Sequence, residues 1–174
     1  NYKIDYKTGL SNNTVLSIFE DKFNNLWIGL DNGVNCINIT SRYRLYKDYK
    51  GAIGTVYTSY LKDDLLYLGT NQGLFYKKRD SDSDFLFVKG TNGQVWNLKV
   101  IDDQIFCGHD RGTLIIKNQK VQYTLGQSLG TWDFKPLTET PNLILQGNYN
   151  GLSLLEKSKG KWRYRNNGCK ITSK

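Results

Sequence analysis

Residues that metal sites and disulfide frameworks require are scarce in this 174-residue sequence. It contains one histidine and three cysteines, which are Cys36, Cys107 and Cys169. With no CxxC pair and a single histidine, the chain holds no plausible zinc set. The odd cysteine count argues against a disulfide framework, although it does not exclude an oxidising compartment. We therefore expect no metal site and no cofactor.

Long apolar runs and helical periodicity are also missing. No segment reaches about 18 apolar residues, the length needed to cross a membrane as a helix, and no signal peptide is visible. No stretch repeats its apolar residues with the helical period of about 3.6, so helix is expected to be minor. Because the first residue is Asn1 and not methionine, we expect a processed or excised piece.

The sequence shows no recognisable catalytic or nucleic-acid-binding motif. There is no Ser-His-Asp spacing, phosphate-binding loop or identifiable pair of carboxylates, so we predict that the chain is not an enzyme. The net charge is +8, but the basic residues are scattered along the chain and form no stripe. Binding of nucleic acid is therefore not expected, and an acidic ligand or partner is favoured over it.

What the sequence does contain is a motif repeated four times. Each copy has an apolar run, a glycine, three residues, a second glycine and a further apolar alternation. The first glycines are Gly29, Gly69, Gly108 and Gly147. The second glycines are Gly33, Gly73, Gly112 and Gly151. Both series are spaced 40, 39 and 39 residues apart, which indicates a repeat architecture.

Each repeat predicts four short strands. β-forming runs flank the glycine pair, and a further strand pattern lies on either side of this hairpin. The second glycine is expected to supply a positive φ in the turn, and the first to let another segment pack closely. Four antiparallel strands in about 40 residues are typical of a β-propeller blade. The predicted blades are 9–50, 51–90, 91–126 and 127–168.

The first repeat resembles the two-component regulator propeller repeat. That repeat reads GLS-x-N-x-V, a strand, and then D-x-x-G-N-L-W-I-G-T-x-x-G-L. The matching positions are Gly9-Leu10-Ser11, Asn13, Val15, Glu20-Asp21, Asn25-Leu26-Trp27-Ile28-Gly29, Asn32-Gly33 and Val34. Leu30 replaces the usual threonine and Asn24 the usual glycine. The second repeat keeps part of the motif, and the last two keep mainly the glycine pair.

The resemblance implies a place in a membrane-bound sensor. Proteins of this family carry seven-bladed propellers outside the cytoplasm, followed by a membrane helix and a cytoplasmic kinase or DNA-binding output. In gut Gram-negative bacteria such sensors detect oligosaccharides in the periplasm and switch on glycan-use genes. The expectation is thus a periplasmic sensor region that binds an oligosaccharide or another small ligand. The alternatives are a structural scaffold without its own ligand and, less favoured, a glycan-active propeller enzyme.

The ends of the sequence predict a fragment of a larger, seven-bladed propeller. Residues 1–8 are expected to hold the outer strand of a preceding blade, and 169–174 the start of a following one. Four blades cut from such a ring would expose apolar flanks. The expected partners are therefore the missing blades, or further copies of the chain through self-association.

Candidate ligand-binding residues come from the loops that an antiparallel blade places at one end. These are the turns between the second and third strands and the beginnings of the first strands. The candidates are Tyr57, Trp96, Trp132, Asn71, His109, Asp110, Arg111, Asn148, Tyr149 and Asn150. Aromatic rings and planar polar groups suit a sugar. The alternative is that the polar residues only form turns and the tryptophans only pack between blades.

Overall fold

The computed structural model describes residues 3–43, 46, 48, 50–81, 83–126 and 130–165. Within these residues every regular element is a β-strand, and no helix is long and apolar enough to cross a membrane. The chain divides into two compact units, Asn1–Tyr49 and Lys50–Lys174. The prediction of an all-β propeller built from antiparallel blades is confirmed.

Unit 1 holds blade 1. Its antiparallel sheet contains β1 (Val15–Glu20), β2 (Asn25–Leu30) and β3 (Gly33–Asn38) in that order. A small core joins Leu10, Ile28 and Leu30. A fourth strand is expected after β3, but residues 44, 45, 47 and 49 lie outside the described residues, as does the segment 169–174.

Unit 2 holds blades 2, 3 and 4, each an antiparallel sheet of four strands. Blade 2 contains β4 (Val56–Lys62), β5 (Leu65–Thr70), β6 (Leu74–Lys78) and β7 (Leu86–Phe87). Blade 3 contains β8 (Val95–Ile101), β9 (Gln104–His109), β10 (Gly112–Lys117) and β11 (Lys120–Leu125). Blade 4 contains β12 (Thr131–Pro136), β13 (Leu143–Asn148), β14 (Gly151–Ser158) and β15 (Lys161–Tyr164).

The described part of segment 1–8 turns at residues 6–9, and the outer strand of a preceding blade expected there stays a prediction. Residues 3–5 pair with no strand among the described residues. The backbone N–H groups of Thr8, Gly9 and Leu10 all donate to the carbonyl oxygen of Asp5, at 2.9–3.0 Å. The hydroxyl of Thr8 also accepts from the Asp5 N–H at 2.6 Å. These local hydrogen bonds hold the turn that leads to Leu10.

The cores of unit 2 lie between its blades. One cluster joins Tyr67 and Leu74 of blade 2 to Val95 and Ile116 of blade 3. The second joins the facing sides of blades 3 and 4. Its members are Phe106, Ile115, Leu125, Phe134, Ile144, Leu155 and Trp162. Because both clusters are built from two adjacent sheets, each blade depends on its neighbour for a buried flank.

The aspartate of the repeat motif in blade 1 ties down the turn between β1 and β2. The carboxylate of Asp21 accepts hydrogen bonds from the backbone N–H groups of Phe23 and Asn25 at 2.8 and 3.0 Å. It also accepts from the Asn25 side chain at 3.0 Å and from Nε1 of Trp27 at 2.9 Å. These bonds, the one from Trp27 above all, lower the pKa of Asp21. The motif therefore has a structural explanation that needs no ligand.

We expect Asp21→Ala to destabilise blade 1, because it leaves these donors without their acceptor. The folded-state pKa lies below the ordinary carboxyl value. The stabilisation is therefore fully present above that ordinary value and is lost as the pH falls through it towards the folded-state pKa. Thermal unfolding between pH 7 and pH 2, with the Trp27 indole N–H followed by NMR, measures both effects. Asp31→Ala, an exposed aspartate in the same blade, is the control; equal midpoints for the two variants at pH 7 would contradict the assignment.

Candidate ligand-binding site

One end of every blade is organised by the same backbone hydrogen bond. The first residue of the turn between the second and third strands donates its backbone N–H to a carbonyl oxygen. That oxygen belongs to the residue directly before the first strand of the same blade. The four pairs are Asp31 with Thr14, Asn71 with Thr55, Asp110 with Gln94, and Tyr149 with Gly130, at 3.0–3.3 Å. The turns and the beginnings of the first strands thus lie together, as the antiparallel order requires.

A β-bulge lies within the first strand of each blade, directly after the first residue of that strand. The register with the second strand shifts at the same place four times, after Val15, Val56, Val95 and Thr131. Bulges bend a strand and redirect a side chain. The bulged residues are Leu16, Tyr57, Trp96 and Trp132. Three of these four side chains are aromatic, and all three belong to unit 2.

Trp96, Trp132 and Tyr149 form what is called here the aromatic cluster. The rings of Trp96 and Trp132 stack with centroids 4.3 Å apart and an angle of 11° between their planes. Tyr149 places its ring edge-on to both, with centroids 5.3 Å from Trp96 and 5.6 Å from Trp132. Since Trp96 belongs to blade 3 and the other two to blade 4, the aromatic cluster spans two blades.

A glycine allows the aromatic cluster to close. A Cβ on Gly130 would lie 2.2 Å from Cε2 of Tyr149 and 3.2 Å from Cζ3 of Trp96. Gly130 is buried, and its carbonyl oxygen accepts from the Tyr149 N–H at 3.2 Å. The absence of a side chain at this position therefore lets the Tyr149 ring lie against the backbone that leads into β12.

A buried polar network lies in and around β13, the strand that ends directly before Tyr149. Gln146 is fully buried; its Oε1 accepts from the Thr113 hydroxyl at 2.7 Å. Its Nε2 donates to Oδ1 of Asn148 at 2.5 Å and to the hydroxyl of Tyr164 at 2.6 Å. Asn148 in turn donates to the hydroxyl of Ser153 at 2.6 Å. With both ends of Gln146 satisfied, the network fixes the strand end that carries Tyr149.

The exposed groups of the aromatic cluster retain unused hydrogen-bonding capacity. Trp132 is 48% exposed and Tyr149 is 63% exposed. Nε1 of Trp96 donates to Oε1 of Gln94 at 3.2 Å, so that donor is occupied. Within the described part of the chain, Nε1 of Trp132 and the hydroxyl of Tyr149 have no such partner. The aromatic cluster therefore offers ring surface together with a free indole donor and a free hydroxyl.

His109 and Arg111 hold the loop that precedes β8. The His109 side chain is fully buried, with Nε2 3.3 Å from the carbonyl oxygen of Thr91 and Nδ1 accepting from the Arg111 N–H at 3.0 Å. Burial lowers the pKa of His109, against the opposing effect of the neighbouring Asp110 carboxylate. The guanidinium of Arg111 donates to the carbonyl oxygens of Gly90 and Asn92 at 3.2 and 2.8 Å. These side chains thus have structural roles in the loop between blades 2 and 3.

Of the remaining candidate residues, Asn71 has a structural role, whereas Asn150 and Tyr57 are exposed. Oδ1 of Asn71 accepts from the Thr55 N–H at 2.8 Å, so its amide fastens blade 2's own loop. Asn150 is exposed in the turn beside Tyr149. Tyr57 is 46% exposed, and no ring contact joins it to the aromatic cluster within the described residues. The structure therefore brings together Trp96, Trp132 and Tyr149 from the candidate set, and Asn148 directly precedes Tyr149 at the end of β13.

Gln94, Gly130 and Gln146 contribute to this site and are absent from the candidate set. Gln94 and Gly130 precede their strands by the same number of residues, so alignment of the repeats could have found them. Gln146 carries no such signal, because a glutamine in a strand is ordinarily a solvent-exposed residue.

Charged side chains occupy the opposite end of unit 2. A polar cleft of ≈ 80 Å³ is lined there by Lys62, Asp103 and Lys117, among others. Nζ of Lys62 lies 2.7 Å from Oδ1 of Asp103 and also pairs with Asp63, and these carboxylates raise the pKa of Lys62. Nζ of Lys157 lies 2.9 Å from Asp102. Ion pairs thus link the Asp102–Asp103 turn of blade 3 to blades 2 and 4. The charged side chains at this end therefore have a structural role.

Comparison with known proteins agrees with this architecture. Residues 9–32 match the two component regulator propeller family. No curated protein matches the chain significantly.

Two solved structures show the same fold. The extracellular domain of BT3049 from B. thetaiotaomicron, described as a hybrid two component system, aligns with 88% of the chain at 19% identity and a TM-score of 0.59. That of BT4673 from the same organism, described as a one component system, aligns with 91% at 15% identity and a TM-score of 0.51. The chain spans 22% and 25% of their lengths. It thus carries a two component regulator propeller repeat in blade 1, and its sheets are blades of the β-propeller fold.

Proposed function

We propose that this chain is part of the ligand-sensing region of a membrane-bound, two-component-type sensor, and that its aromatic cluster binds an oligosaccharide. The observation that carries the proposal is the aromatic cluster itself. Three aromatic side chains from two blades meet at the end where the turns and first strands converge. The two exposed members keep free hydrogen-bonding groups. The propeller repeat at residues 9–32 supports the assignment to a sensor.

Sugar is the ligand class that fits this combination of groups. One face of a pyranose ring presents C–H groups, which pack on aromatic rings, while its hydroxyls need hydrogen-bond partners. Trp132 supplies ring surface and an indole N–H, and Tyr149 supplies a hydroxyl. The exposed amide of Asn150, next in sequence, extends the polar rim.

The site is preorganised, which favours binding. Trp132 is stacked on Trp96, Tyr149 is held edge-on to both, and Gln146 fixes the strand end below. Side chains that are already ordered lose little conformational entropy when a ligand arrives. In the parent protein we place this site outside the cytoplasm, in the periplasm, where its occupancy would regulate glycan-use genes through an output domain.

A glycan array followed by calorimetry on the 174-residue chain tests the proposal. Specific binding of an oligosaccharide, with the glycan recovered intact, is the expected result. Turnover of the glycan would indicate a propeller enzyme instead of a sensor. Absence of binding to any glycan would favour a structural scaffold. Both of the latter results contradict the proposal.

Trp132→Ala should weaken binding of the array-selected oligosaccharide at least tenfold, about 1.4 kcal/mol, because it removes the exposed stacking ring. Tyr57→Ala is the matched control, since Tyr57 is the bulged aromatic residue of blade 2 and stands apart from the aromatic cluster. It should bind as the parent does. Calorimetric affinities of the two variants decide the matter, with far-UV circular dichroism to verify folding. Equal affinities for Trp132→Ala and the parent would show that the aromatic cluster does not bind the oligosaccharide.

Gly130→Ala should displace Tyr149 without removing any ring. The added methyl group would lie 2.2 Å from Cε2 of Tyr149 and 3.2 Å from Cζ3 of Trp96, so Tyr149 must move and Trp96 must give slightly. We expect a several-fold weaker affinity for the same oligosaccharide, with the far-UV circular dichroism spectrum unchanged. An unchanged affinity would show that Tyr149 does not contact the ligand.

A further inference from the structure

Gln94 presents free amide donors beside the aromatic cluster. It belongs to the connection between blades 2 and 3, both of which are part of unit 2, and it is exposed. Its Oε1 accepts from Nε1 of Trp96 at 3.2 Å, so the oxygen end of the amide faces the indole. The other end is Nε2, which donates to no acceptor among the described residues. Two N–H donors are therefore available next to Trp96.

The carboxylate of Asp110 lacks a hydrogen-bond donor. Its Oδ1 is buried and accepts no hydrogen bond within the described part of the chain. That oxygen lies 2.5 Å from Nδ1 of His109, which itself accepts from the Arg111 N–H at 3.0 Å. Burial lowers the pKa of His109 and favours the neutral ring, whose Nδ1 then has no proton to give. Buried acceptors almost always have a donor, so one is missing here.

The neighbouring cation does not supply this donor. The guanidinium of Arg111 donates to the carbonyl oxygens of Gly90 and Asn92 at 3.2 and 2.8 Å. Among the described residues it forms no ion pair with Asp110. The donor for Asp110 is therefore expected to come from outside the chain.

Gln94 and Asp110 lie side by side. The Asp110 N–H donates to the carbonyl oxygen of Gln94 at 3.0 Å. A Cβ on Gly93, directly before Gln94, would lie 2.7 Å from Oδ1 and 3.0 Å from Oδ2 of Asp110, so the carboxylate rests against this connection. The side chain of Asp110 is 36% exposed, and since Oδ1 is buried, Oδ2 is the accessible acceptor. A free donor and a free acceptor thus adjoin the aromatic cluster.

We propose that Gln94 and Asp110 form a hydroxyl-binding subsite, which holds the sugar residue next to the one that stacks on Trp132. Two adjacent hydroxyl groups of a neutral sugar fit it, because Nε2 of Gln94 donates to one oxygen and Oδ2 of Asp110 accepts from the other hydroxyl. The sugar thereby supplies the hydrogen bond that the carboxylate lacks. This inference rests on the proposed binding of an oligosaccharide, and it requires a chain of at least two sugar residues.

Gln94→Glu removes the amide donor and keeps an oxygen acceptor for the Trp96 indole. We expect the calorimetric affinity for the array-selected oligosaccharide to fall at least tenfold, with the far-UV circular dichroism spectrum unchanged. Gln122→Glu is the matched control, since Gln122 lies on β11, the outer strand of the same blade, and donates to the carbonyl oxygens of Lys117 and Lys120. It should bind as the parent does. An unchanged affinity for Gln94→Glu would overturn the role of Gln94.

Asp110→Ala separates a binding role from a structural one. A carboxylate without a donor does not stabilise the fold, so the midpoint of thermal unfolding should stay unchanged or rise. The affinity for the same oligosaccharide should fall at least fivefold. A lower midpoint would show that Asp110 has a donor in the free protein, and it would overturn the proposal.

His109 is the single histidine of the sequence, so its NMR signals need no assignment by mutation. The imidazole ¹⁵N shifts of the free protein at pH 7 should show Nδ1 without a proton. Addition of the oligosaccharide should move the Cε1–H signal, because the Asp110 carboxylate lies against this ring. A protonated Nδ1 would give Asp110 its donor and would overturn the proposal.

Trp132→Ala distinguishes failure of the subsite from failure of the proposed function. Binding that is lost in Trp132→Ala but unchanged in both Gln94→Glu and Asp110→Ala would leave the aromatic cluster as the sugar site and overturn the subsite alone. Absence of glycan binding by the parent chain would overturn both.

Discussion

The structure of unit 2 depends on the flanks of blades 2 and 3 being covered by the next blade along the chain. A four-stranded sheet of this length has two faces and no core of its own. The buried clusters accordingly form between blades, as where Phe106 meets Phe134 and Trp162 with ring centroids 5.7 Å apart. Gly69 and Gly108 leave room for the first strand of the next blade, since a Cβ there would lie 2.5 Å from Cγ1 of Val95 and 2.7 Å from the carbonyl oxygen of Thr131. The 39- to 40-residue period follows from repeating this junction.

The junction also explains why a binding site can form at one end of the blades. Close approach of β12 to Gly108 brings the bulged residues of neighbouring first strands near one another, so that Trp96 and Trp132 stack across the blades. The bulge directs these side chains to the end, and the recurring hydrogen bond holds the adjacent turn in place. Packing between blades and presentation of the aromatic cluster are therefore two results of the same geometry.

The polar side chains of the turns are explained by contacts other than those that form the aromatic cluster. Asn71 and His109 both hold the loops that lead into first strands, one through an amide oxygen and the other through a ring nitrogen. Arg111 clamps a loop with its guanidinium. Backbone N–H and C=O groups in the connections between strands have no neighbouring strand to hydrogen-bond with. Side chains of the turns therefore serve as their hydrogen-bond partners. A polar turn residue is consequently weak evidence for a ligand.

The sequence by itself determined the blade architecture. Periodic glycines and alternating apolar residues are local signals, and strand, turn and repeat follow from local backbone preferences and from the need to bury one face. The same reasoning identified Trp96, Trp132 and Tyr149 as candidates, because topology places turns and first strands at the same end. At residues 1–8 the expected outer strand of a preceding blade stays a prediction, because its pairing partner would belong to that blade; within the chain, hydrogen bonds to Asp5 hold the turn that follows.

Only the tertiary structure decided which candidates act together. Stacking of Trp96 on Trp132 depends on the distance between blades, and the support from Gln146 depends on side chains from different strands. The sequence also treats Gly69, Gly108 and Gly147 alike, although a Cβ would clash with the next blade at the first two and would meet no atom of the described residues within 4 Å at the third. Local sequence encodes how a strand pairs with its neighbours in the sheet. The contacts between sheets depend on which surfaces meet, and that information exists only in three dimensions.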